Sequence, residues 1–140
     1  MKVSEYFDIR ELISPDMWET FRADSVKFID DRIIALLERI RELSGGRSIT
    51  VNNWHRGGKW RYRGYRPESC NTGARNSMHR QGKAVDFDIS GMTAEQSRQL
   101  IRDNQTELMR LGLRRMERGV PWVHIDLKET GLDYIYEFKP

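Results

Sequence analysis

The chain has 140 residues, of which 38% are hydrophobic and 32% charged, and a net charge of +3; this supports one compact domain over residues 1–140, and the charge excess is too small by itself to indicate a nucleic-acid binder. No apolar run approaches the ~20 residues of a membrane span, and Met1-Lys2-Val3-Ser4-Glu5-Tyr6-Phe7-Asp8 lacks the apolar stretch of a secretory signal, so synthesis in the cytoplasm is expected. Cys70 is the sole cysteine, which excludes an intrachain disulfide and a cysteine-based zinc knuckle.

In chain order, Ser14-Pro15-Asp16 reads as a helix start, with Ser14 as N-cap and Pro15 in the first turn; this helix ends near Phe21 or Arg22. Asp24 or Ser25 then caps a longer helix. Its apolar stripe is Val26, Ile29, Ile33, Leu36, Leu37, Ile40 and Leu43, and Gly45-Gly46 stops it. Ser48–Asn53 is β-branched and alternating, hence a strand. Residues 54–76 form a long loop rich in arginine, glycine and aromatics without periodicity. A loop of that length is usually functional, so it is expected to wall a substrate groove.

Ala84-Val85-Asp86-Phe87-Asp88-Ile89 alternates, with Val85, Phe87 and Ile89 facing a core. Thr93-Ala94-Glu95-Gln96 is a capping box that opens a helix to about Arg102, and a second helix runs from Gln105 to Leu111, ending at Gly112. Leu113–Glu117, Trp122–Leu127 and Tyr134–Phe138 read as strands, the first two joined through Arg118-Gly119-Val120-Pro121. The pattern predicts an α+β domain with a mainly antiparallel sheet and flanking helices.

The chemistry concentrates in two stretches, Ser77-x-His79-x-x-Gly82-x-Ala84-x-Asp86 and Trp122-x-His124-x-Asp126. Alternation puts Asp86 on one face of its strand, and His124 and Asp126 on one face of theirs. Neighbouring strands would then present Asp86 and His124 together, with the turn before Gly82 bringing His79 over them. Two imidazoles and a carboxylate make the three-ligand set of a catalytic zinc site, with a fourth position left for water. These motifs, with the upstream Tyr65-Arg66-Pro67, resemble the M15 zinc peptidases, the group of D-alanyl-D-alanine carboxypeptidases and endolysins. The resemblance runs from about Asn53 to Asp126. It implies the fold shared by D-alanyl-D-alanine peptidases and Hedgehog signalling domains, Zn2+ held by His79, Asp86 and His124, and a peptide substrate from peptidoglycan. It also implies action at the cell wall or within a phage particle, as a compact enzyme or as part of a larger assembly.

A zinc hydrolase also needs a general base and a cation for the developing oxyanion. Many members of the M15 group carry glutamate three residues before the last zinc histidine and some carry histidine two before it; here those positions are Pro121 and Trp122. Pairing Leu113–Glu117 with Trp122–Leu127 would place Glu117 near the level of Trp122, within reach of the site, so Glu117 is the expected general base. Arg66 is expected to hold the substrate carbonyl or carboxylate, with Arg56, Arg61, Arg63 and Arg75 as competitors. Asp126 is expected to orient a zinc histidine through its other ring nitrogen, and Ser77 to bond near the site or cap the turn.

Two other functions compete with the peptidase reading. Pro121 at the usual glutamate position would suit a catalytically inactive relative serving as a structural or binding module. Trp54, Trp60, Tyr62 and Tyr65, interleaved with Arg56, Lys59, Arg61, Arg63 and Arg66, would suit single-stranded nucleic acid, although that leaves both histidine motifs unexplained.

Overall fold

The computed structural model describes residues 1–140. Its helices are α1 (Pro15–Phe21), α2 (Asp31–Leu43), α3 (Ala94–Asp103) and α4 (Gln105–Arg110), and its strands are β1 (Ile49–Thr50), β2 (Ala84–Ile89), β3 (Arg115–Glu117), β4 (Val123–Asp126) and β5 (Tyr136–Phe138). The strands form one sheet in the order β1-β2-β4-β3-β5. All neighbours are antiparallel except β3 and β5, which pair parallel and make the sheet mixed. The fold is therefore α+β, as the pattern of elements predicts.

One face of the sheet makes the core. Val85, Phe87 and Ile89 of β2, Met116 of β3, and Val123 and Ile125 of β4 are buried together with Ile33, Leu36, Leu37 and Ile40 of α2 and Ile101 and Leu108 of α3 and α4. Burying each such side chain contributes about 1.5–3 kcal/mol, which anchors the strands from behind. On α3, Thr93 and Gln96 form the expected capping box. Arg98 of the same helix is buried and donates to the carbonyls of Val120 (3.1 Å) and Trp122 (3.0 Å), which fixes the β3–β4 connection.

The long second helix is shorter than its apolar stripe. Residues 22–28 wind as 3-10 turns, Ile29 is extended (φ −104°, ψ 129°), and α2 starts afresh with Asp30 as N-cap. In a continuous helix the Asp30 N–H would bond the Val26 carbonyl; instead it donates to the Gly82 carbonyl at 3.0 Å. That bond draws the segment onto the turn that carries His79. Ile29, Ile33, Leu36, Leu37 and Ile40 remain core residues, whereas Val26 and Leu43 pack at its margin.

The first strand keeps only two of its expected residues. Asn52 N–H donates to the Glu11 carbonyl (2.9 Å) and Asn53 N–H to the Trp60 carbonyl (3.1 Å), so the backbone leaves the sheet after Thr50. The 54–76 loop takes over beside β2, where Asp86 N–H donates to the Arg63 carbonyl at 2.7 Å. The last three strands are likewise shorter than expected, and Leu113, Trp122, Tyr134 and Ile135 flank them.

Candidate metal centre

His79 sits on a 3-10 turn, Met78–Gln81, that Ser77 opens by accepting the His79 N–H on its Oγ at 3.2 Å. Gly82 closes the turn with φ 70°, and a Cβ there would lie 1.8 Å from the Phe28 carbonyl oxygen. Glycine is required on both counts. The His79 ring places Nδ1 2.9 Å from the Gly64 carbonyl, which can only accept. Nδ1 therefore carries the proton, and Nε2 presents a bare lone pair toward Asp86 Oδ1, 3.3 Å away. Gly64 comes this close because it has no side chain: a Cβ would lie 2.3 Å from the Leu12 carbonyl oxygen. Arg66 N–H returns a bond to the His79 carbonyl at 3.1 Å.

Asp86 and His124 are direct cross-strand partners in the β2–β4 pair. His124 Nδ1 lies 2.8 Å from Asp86 Oδ1, and its Nε2 lies 2.9 Å from Asp126 Oδ2. Asp126 is fully buried and takes a two-pronged bond from Arg115, with Nε at 2.9 Å and Nη2 at 2.7 Å. Arg115 stacks on Phe138, 4.6 Å from the ring centroid, and Phe138 meets the His124 ring edge-on at 5.7 Å. A chain of contacts thus runs from β5 through Arg115 and Asp126 to His124.

The register corrects the expected position of Glu117. It pairs with His124 itself, two residues further along β4 than Trp122, while Arg115 pairs with Asp126. Glu117 and Arg115 therefore share the face of His124 and Asp126. All four line one cleft of about 450 Å³ together with Arg66 and His79. A second cavity of about 520 Å³, lined by Trp60, Arg61 and Pro121 among others, shares Arg66, Thr72, Asp86 and Trp122 with the first and continues it.

Arg66 is more committed than the sequence suggests. Its Nη2 donates to Asp86 Oδ2 at 3.2 Å and its Nε to the Tyr62 carbonyl at 2.7 Å. It thus holds the oxygen of Asp86 that points away from the histidines, and still lines both cavities. Burial pushes its pKa down.

Burial also pushes His79 down, so its imidazole is neutral. For Asp86, burial works upward but is outweighed by the hydrogen bond and positive charge of His124, which hold the carboxyl well below its ordinary range. His124 is the opposite case: burial lowers it, but bonds to Asp126 and Asp86 prevail and push it up to about 9. Asp126 stays low despite burial, held by His124 and Arg115.

The donor set fits a divalent transition metal. One donor atom each from His79, Asp86 and His124 lie within 4.8 Å of one another, and all three residues are buried. Tetrahedral zinc, ~2.0–2.1 Å from each donor, sets donor atoms ~3.3 Å apart. The His79–Asp86 separation of 3.3 Å matches this, and the 2.8 Å His124–Asp86 separation is that of a hydrogen bond whose proton an ion would replace. Each histidine has its other nitrogen held, by Gly64 in one case and Asp126 in the other. That arrangement fixes which nitrogen faces the ion. Two imidazoles and one carboxylate suit zinc.

Not every singled-out residue joins the cluster. Asp88 is exposed and pairs with Arg63 at 3.0 Å. His55 lines a separate cavity, and Cys70 is buried at the edge of another. Most of the aromatic and basic residues of the loop are used internally. Trp54 donates to the Ile13 carbonyl, Tyr65 packs 5.2 Å from Phe28, and Arg56 pairs with Glu11. Arg115, Phe138 and the Gly64 carbonyl are site components that the motifs did not reveal. The alternation of Arg115 with Glu117 is a signal for the first; the other two leave none in the local sequence.

A family model described as Peptidase M15 matches residues 30–126. No curated protein and no solved structure matches the chain. The matched span begins at the cap of α2 and ends at Asp126, so it takes in all three candidate ligands and Glu117.

Proposed function

Because the chain belongs to the peptidase M15 family, we propose that it is a zinc-dependent peptidase that hydrolyses a peptide bond in peptidoglycan stem peptides, as a carboxypeptidase or an endopeptidase. One observation carries the reading: His79, Asp86 and His124, from a turn and two strands, converge in a cleft that Glu117 also lines. Zn2+ bound by these three residues would polarise the scissile carbonyl and make water acidic enough to attack near neutral pH.

The chain's own residues supply the rest. Glu117, directly across from His124, takes the proton of the attacking water and returns it to the leaving amine. Arg66 fixes the Asp86 carboxylate by one nitrogen and presents its remaining face to the substrate carbonyl or terminal carboxylate. Asp126, clamped by Arg115, keeps the Nε2 proton on His124 and leaves Nδ1 for the ion. The substrate lies along the joined cavities past Trp122. Ser77 acts on the site indirectly, by capping the turn of His79.

An inactive relative is favoured only by Pro121 at the position where M15 enzymes often carry glutamate. Glu117 supplies a carboxylate to the same cleft from the neighbouring strand, which supports the active reading. For single-stranded nucleic acid the loop would need open aromatic faces, and of its aromatics only Trp60 is exposed. Purified peptidoglycan incubated with the protein distinguishes these functions. Release of new amino termini that a chelator abolishes and Zn2+ restores is expected; no release at any metal loading would mean a binding module. Mass spectrometry of the fragments identifies the bond. Cell wall, reached as part of a phage particle or another assembly, is the corresponding site of action.

A further inference from the structure

A cavity of about 450 Å³ lies between the start of the chain, α2, β1 and the Trp54–Arg56 turn, and shares no lining residue with the metal cleft. Buried polar atoms normally have partners. Arg41 and His55 both line this cavity, and neither side chain makes a hydrogen bond or an ion pair.

The charges around it are unevenly matched. Asp8 is taken by Arg10 (2.8 Å) and Glu11 by Arg56 (3.1 Å). Glu11 also accepts the Asp8 N–H at 2.9 Å. Arg41 makes no ion pair; its guanidinium carbon lies over Tyr6, 4.1 Å from the ring centroid. The cation–π contact holds the guanidinium in place without consuming any of its N–H groups. Ser48 and Thr50 also line the cavity, and neither hydroxyl is engaged by another side chain.

We propose that this cavity is a binding site for a tetrahedral oxyanion of the phosphate class. A guanidinium can only donate, so what the unpaired terminal nitrogens of Arg41 call for is an acceptor, and the surplus positive charge makes it an anion. The donors come from separate elements: Arg41 from α2, Ser48 and Thr50 from β1 and its approach, His55 from the turn beyond. A planar carboxylate offers two oxygens in one plane, whereas a phosphate group offers acceptors in several directions. The phosphate is either a free or terminal group or the diester of a larger molecule.

Isothermal titration calorimetry of the full chain at low ionic strength, with inorganic phosphate, dimethyl phosphate and acetate as probes, tests this. Saturable binding of inorganic phosphate is expected, weakened at least tenfold in both Arg41→Gln and His55→Leu, with acetate weaker than phosphate. Dimethyl phosphate binding as well as phosphate points to a diester ligand; its failure points to a free or terminal phosphate. Should Arg41→Gln lose its folded circular-dichroism spectrum, His55→Leu decides. Absence of saturable phosphate binding, binding undiminished in the folded variants, or acetate binding equal to phosphate overturns the proposal; undiminished binding would move the anion to another cationic patch.

Discussion

His124 lies between two carboxylates, with Asp86 at one nitrogen and Asp126 at the other. The two carboxylates have different supports. Asp126 is neutralised by Arg115 in a planar two-bond grip, whereas Asp86 is touched by Arg66 on its outer oxygen only and leaves Oδ1 for the ion. Removing Arg115 therefore loosens His124 without removing a ligand. Arg115→Met should weaken Zn2+ binding about 10–100-fold, measured by competition with a fluorescent chelator, and Arg115→Lys should recover only part of the loss because an ammonium cannot grip both oxygens. Unchanged affinity in Arg115→Met would show that Asp126 orients His124 without it. Glu117 predicts the reverse pattern. Glu117→Gln keeps size and polarity but cannot take a proton, so zinc affinity should stay at the wild-type level while kcat on wall fragments falls by ~10²–10⁴. Full activity in that variant would return the search for the base to other cleft residues.

At the level of elements, the site depends on register and on one turn. Asp86 faces His124 and Glu117 faces His124 only because β2, β4 and β3 pair without slippage, and a shift by one residue would turn the candidate ligands into the core. The turn at Gly82 is equally constrained. Gly82→Ala meets the Phe28 carbonyl and an unfavourable φ together, so it should destabilise the fold by at least ~2 kcal/mol and weaken metal binding through His79, both read from thermal melts with and without Zn2+. The strict alternation of residues 84–89 and 122–127 made the strands that carry Asp86 and His124, and their inward faces, legible, and the Thr93 capping box made α3 legible. The break at Ile29 was not, because the bond that causes it joins Asp30 to Gly82, distant in sequence, and the apolar stripe runs through it unchanged. The Glu117 register was missed by two residues because the β3–β4 connection is held by Arg98 from α3, which no local hairpin rule includes. Arg115 remained hidden for the same reason: its pairing with Asp126 follows only from that register.

For the whole molecule, the ion would tie together parts of the chain that are otherwise joined by loops: the turn at His79, the strand at Asp86 and the strand at His124. Binding to the folded state alone raises stability by ~2.7 kcal/mol at a free zinc concentration one hundred times Kd, an increase of roughly 10 °C in melting temperature for a chain of this size. That gain depends on pH through His124. Its pKa in the metal-free protein, about 9, lies above the unfolded value of ~6.5. The imidazolium therefore stabilises the metal-free fold fully below about pH 6.5, and this contribution is lost as pH rises through about 9. Zinc needs Nδ1 bare and must displace that proton. Zinc affinity should accordingly rise about tenfold per pH unit up to about pH 9 and level off above it, with one proton released per ion in the lower range. Calorimetric titrations of zinc in buffers of different ionisation enthalpy count those protons. A flat profile between pH 6.5 and 9 would mean that the His124 ring is already neutral in the metal-free protein over that range.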